Sequence, residues 1–129
     1  MSMQARQVLA QLQEREPKYA ESAYLFLLAA LRRCMNRLDR PRHVSGRELA
    51  DAVKELALDR YGPLARTVLE HWGVHSTSDL GEMVFLMVDH GVLTKRPSDS
   101  REDFEDLYSF EEAFEGEYPF GVLKSESCA

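Results

Sequence analysis

Three glycines decide how this chain is divided. Gly62, Gly73 and Gly91 bracket GPLARTVLEHWGVHSTSDLGEMVFLMVDHG, its densest apolar stretch, and cut it into two pieces of helical length. Glycine takes the left-handed conformation that closes a helix without the steric cost of a Cβ. Each piece is therefore predicted to be a helix that stops at its glycine, and alanine at any of the three is expected to be resisted. Pro63 can open the first helix, where its missing N–H costs nothing. Leu64, Ala65, Val68, Leu69 and Trp72 then recur along one side at helical spacing. In the second piece Ser76 and Asp79 stand at capping-box positions, and the helix is expected to run to His90. Leu80, Met83, Val84, Leu86, Met87 and Val88 leave it little polar surface, which predicts the central buried helix.

Upstream, Val8, Leu9 and Leu12 give residues 1–16 a modest amphipathic helix ended by Pro17. From Lys18 to Leu38 apolar residues keep helical spacing, and the middle is apolar nearly all round, as in a helix surrounded by others. Pro41 stops it. Ser45 and Glu48 then form a capping box, with Val44 and Leu49 as a hydrophobic staple, and a helix burying Leu49, Val53, Leu56 and Ala57 runs to Gly62.

After Gly91, VLTK reads as a short strand, RPSDSRED as a loop in which Ser100 caps a turn through Asp103, and LYSF as a second strand. The predicted fold is mainly α: a single compact helical domain with a small C-terminal β-hairpin, in an order that allows a winged helix. Residues 1–129 make one domain: an N-terminal helix (1–16), a helical core (17–96), an acidic aromatic hairpin or tail (97–121), and an end expected to be disordered (122–129).

Charge narrows the functions. The net charge of −6 is uneven: residues 1–96 carry 14 Lys and Arg against 12 Asp and Glu, whereas 97–129 carry 2 against 10. A general nucleic-acid binder is expected to be basic overall; this asymmetry suggests a near-neutral body with an acidic tail. No apolar run is long enough for a membrane span, and the first residues lack the apolar core of a secretory signal. Cys34, in a helical stripe, and Cys128, near the end, do not make a disulfide framework, so a reducing cytoplasm is the expected location.

The candidate chemistry is thin. Arg32, Arg33, Arg37, Arg40, Arg42 and Arg47 offer phosphates a basic segment, yet helix-end charge and a solvated loop explain them as well. They can also dock the acidic segment Asp99–Glu117. As a recognition helix, DLGEMVFLMVDH offers only acids where base readout needs Arg, Asn, Gln or Ser. His71, His75, Asp79 and Glu82 suggest a metal, but Gly73 breaks the helix between the histidines and no zinc signature is present. His43, beside Arg42 and ahead of a helix N-terminus, can meet an anion or be a solvated flanking residue. No nucleophile stands near a base, so no catalytic, cofactor or metal residues are assigned. Trp72 fits the core, or an anchor for another protein. Phe110, Phe114, Tyr118 and Phe120, spaced among acids, suit docking into a partner or back onto their own domain.

HVSGREL, YGPLARTVLEHWG, DLGEMVF and SFEEAF, in that order, resemble the pattern of a family of short, uncharacterised bacterial proteins with no known activity. The resemblance spans about Pro17 to Phe114 and implies a free-standing bacterial cytoplasmic domain, with no catalytic residue or cofactor to carry over. The expected function is a non-enzymatic interaction or regulatory domain. It would bind another protein through the acidic aromatic segment or a helix face, with homo-oligomers possible. Nucleic-acid binding through Arg32–Arg47 is the alternative, followed by a small enzyme using His43, His71 or His75.

Overall fold

The computed structural model describes residues 3–94, 96–97 and 99–116, with side chains over 7–94, 96–97 and 99–115. Among these lie five α-helices: α1 (Met3–Arg15), α2 (Glu21–Asn36), α3 (Gly46–Tyr61), α4 (Ala65–His71) and α5 (Thr77–Asp89). Short 3-10 turns cover Gly62–Leu64 and Arg101–Phe104, and a π-helical turn covers Glu112–Gly116. One apolar core runs from Leu9 and Leu12 of α1 to Phe114.

The two central helices show how the caps work. α2 buries Ala23, Tyr24, Phe26, Leu27, Ala30 and Cys34 on one face. Leu25, Leu28 and Ala29, on its other face, are partly buried, so the helix is covered closely on one side and only in part on the other. At α3 the capping box forms as expected: the Glu48 amide donates to Ser45 Oγ at 3.1 Å, and the Ser45 amide donates to Glu48 Oε1 at 3.0 Å. Leu49 is buried and Val44 packs against the same core.

The bracketing glycines all take positive φ: +49° at Gly62, +95° at Gly73 and +79° at Gly91. After α4 the Val74 amide donates back to Leu69 O at 2.9 Å, and after α5 the Val92 amide donates to Met87 O at 2.8 Å. Both bonds span five residues, the signature of a Schellman closure. Gly73 has a second reason to lack a side chain. A Cβ there would stand 2.2 Å from the Lys18 carbonyl oxygen, because the Ala20 amide binds Trp72 O at 3.0 Å and draws the two segments together.

Four expectations are corrected. The segment opened by Pro63 begins as a 3-10 turn and becomes α-helical only at Ala65. The tighter winding turns Leu64 off the buried stripe, leaving it 62% exposed. Ser76 does occupy the N-cap of α5, but its side chain makes no capping bond. Asp79 reaches past it: Oδ2 accepts the His75 amide at 2.8 Å and Oδ1 accepts the Tyr19 hydroxyl at 2.7 Å. The buried phenol needs an acceptor, and this carboxylate supplies it. Burial first, and then this hydrogen bond, push the Tyr19 pKa up. α5 is not central either. Leu80, Met83 and Met87 are buried while Val84, Phe85 and Leu86 stay half exposed.

The fourth correction concerns the hairpin. The described residues contain no strand, so residues 92–94 and 107–110 are not the arms of a wing. The Val92 and Leu93 amides both point back to Met87 O and close α5, which takes them out of any ladder. Ser100 and Asp103 form the capping box of the Arg101–Phe104 turn. That turn drives Phe104 into the core against Gly81, where a Cβ would come within 2.9 Å of the Phe104 side chain. The Leu107 amide donates to buried Thr77 Oγ1 at 3.3 Å and the Tyr108 hydroxyl to Ala50 O at 2.6 Å. Phe110, Ala113 and Phe114 follow into the same core. The acidic segment is thus one wall of the body as far as residue 116. The end 122–129, expected to be disordered, lies outside the described residues.

Candidate functional site

A cleft of about 510 Å³ opens where α2 ends, α3 begins and α5 passes beneath them. α2 contributes Leu31 and Met35, α3 and its approach contribute Val44 and Leu49, and α5 contributes Val84 and Phe85. Val92, Leu93 and Phe104 complete the apolar wall. The helix caps produce this concavity. The Ser45 box fixes where α3 starts, and the turn after Met87 swings Val92 and Leu93 back across the end of α5. Met35 stands at the edge, 50% exposed.

The polar mouth is built from side chains already paired with one another. Arg42 grips Glu48 with two nitrogens, at 2.9 and 2.6 Å. The hydrogen bond from Arg42, then the one from the Ser45 amide, lower the Glu48 pKa from its ordinary 4.5 to about 2. His43 Nε2 lies 2.8 Å from Asp99 Oδ2, which also accepts the Arg96 amide at 2.7 Å. An ion pair thus stands on one flank and an imidazole–carboxylate pair on the other, and apolar surface lies between them.

Where an anion was expected, His43 and Arg42 each face a carboxylate, and Ser45 and Glu48 cap the start of α3. The rest of the basic segment is treated similarly. Arg33 pairs with Asp59, Arg37 with Glu55 at 2.6 Å and Arg47 with Asp51 at 3.5 Å. All three acids belong to α3, which pairs Arg47 within itself and neutralises Arg33 and Arg37 at the end of α2. Arg32 and Arg40 are exposed and form no ion pair with a described residue. A nucleic acid on this face would have to displace the α3 carboxylates.

The other candidates do not converge. His71 is exposed at the end of α4 and His75 is exposed beyond Gly73, both away from the cleft that His43 lines. Among the described residues no group of three or more His, Cys, Asp or Glu is placed to hold a metal. Cys34 is buried, which pushes its thiol pKa up. Phe110 and Phe114 are core residues, their rings 5.1 Å apart and edge to face, so of the two placements expected they take the one on their own domain. Tyr118 and Phe120 lie outside the described residues. Trp72 is half buried between Phe26 and Tyr61, at 5.5 and 5.9 Å.

Sequence reasoning missed the cleft because its walls come from five separated segments. Asp99 was read as tail acidity and Val92 and Leu93 as a strand; only Met35, apolar on the outer side of a helix, gave a signal. Among the described residues no helix is long and apolar enough to cross a membrane. Comparison with family models, curated proteins and solved structures returned no match.

Proposed function

We propose that the chain is a non-enzymatic binding domain of the regulatory kind, and that its cleft holds a neutral, largely apolar molecule. The paired mouth carries this reading. A charged ligand head would have to break Arg42–Glu48 or His43–Asp99, losing charge-assisted hydrogen bonds already made. A neutral ligand ending in a hydroxyl or amide can share those groups without separating them. The volume falls in the range of small-molecule sites, which are typically apolar clefts with a few oriented polar groups.

The test is a pair of ligands of equal chain length, 1-decanol and decanoate, titrated at neutral pH by thermal shift and calorimetry. The alcohol should raise the melting temperature in a concentration-dependent way, because a ligand that binds only the folded state stabilises it. Met35→Glu, at an exposed edge position, should abolish the shift without altering the unliganded melt. Preference for the carboxylate, or an alcohol response that survives Met35→Glu, would sink the proposal.

A further inference from the structure

The outward face of α2 is self-complementary. A helix places residues three, four, seven and eleven apart along one side, so Glu21, Leu25, Leu28 and Arg32 line the side opposite the buried set. Ala29 flanks them. The order along the axis is acid, apolar, apolar, base. Glu21 and Arg32 form no ion pair with a described residue, whereas Arg33 and Arg37 on the adjoining flank are engaged by Asp59 and Glu55. Leu25, Leu28 and Ala29 line a shallow hollow, and the short side chain of Ala29 lets another backbone come close.

We propose that this face is where a second copy of the chain docks, its α2 lying antiparallel across the first. A two-fold axis midway between Leu25 and Leu28 sets Leu25 of each copy against Leu28 of the other. The same axis sets Glu21 against Arg32, twice. An isologous interface requires a patch that matches itself under such an axis, and this one matches in charge and apolar content together. Neither a uniformly basic face nor a uniformly apolar one would specify direction. Here a parallel arrangement places Glu21 near Glu21 and Arg32 near Arg32, and like charges facing each other oppose it. The contact is modest in area, so it forms a dimer that responds to concentration and salt. It rests on residues that do not line the cleft and stands or falls independently of the bound ligand.

Sedimentation equilibrium over a wide concentration range tests it, on the wild-type chain, Glu21→Arg, Arg32→Glu and the double exchange. The wild type should be a monomer–dimer system. Each single reversal should weaken the dimer roughly tenfold, since it alters two exposed pairs at once. The double exchange recreates both pairs and should restore the dimer. Circular dichroism should show all four folded alike, because neither side chain is buried. A wild type that stays monomeric overturns the proposal, as do single variants that still dimerise fully or a double variant that fails to recover.

Discussion

At the scale of single residues, what matters most is where the backbone is forced. Gly73 and Gly91 both adopt positive φ, but only Gly73 also faces another segment. A Cβ at Gly91 would meet nothing within 4 Å. Gly91→Ala should therefore cost only the left-handed strain, about 1 kcal/mol. Gly73→Ala should cost clearly more, because the Lys18 carbonyl must also move. Urea titration of the two variants side by side checks the order, and equal losses would mean that the contact with Lys18 is soft. Glu48 is the second such residue. Its pKa is depressed in the folded state, so its contribution is present in full above pH 4.5 and fades as pH falls toward about 2. Glu48→Gln keeps an oxygen for the Ser45 amide but loses the ion pair with Arg42, so it should lose roughly 0.5 kcal/mol near neutral pH, and the gap from the wild type should close at the acid end of a pH series. The box at Ser45 was legible because its bonds are local, three residues apart. The one expected at Ser76 does not form: Asp79 gives one oxygen to the neighbouring His75 amide and the other to Tyr19, 60 residues away in the chain. No local pattern records that distant partner.

At the scale of elements, the acidic segment changes its meaning. Its charge suggested a tail, and its spaced aromatics left open whether they dock outward or inward. The structure places Phe104, Phe110 and Phe114 in the core while the intervening acids face water. Short helical turns, not strands, bring this about, since alternation over four residues of LYSF is too brief to separate a strand from an irregular chain. Phe114→Ala should cost about 3–5 kcal/mol, as large as any helix core substitution, and thermal melts will show it. A chain ended at residue 96 should fail to show cooperative unfolding, because it would lack part of the core. It is for that reason a poor instrument for asking whether the acidic residues mask the arginines. Charge reversals at exposed Glu102 and Glu105 put that question without removing the wall.

For the whole molecule, the placement of the helices was legible and their mutual arrangement was not. Glycines, prolines and caps divided the chain correctly into its helices, yet the most apolar one, α5, lies at the side of the body. Apolar content marks a helix as packed; only the neighbours decide on how many sides. The cleft and the two-sided character of α2 belong to that second kind of fact. Trp72 gives this arrangement an optical consequence. It is the only tryptophan in the chain, and it touches Phe26 of α2 and Tyr61 at the end of α3. Light absorbed by Tyr61 reaches the indole over a distance set by how α2, α3 and α4 meet. The protein therefore carries a built-in donor and acceptor, and the colour and yield of a single emission band report on that junction without any added label.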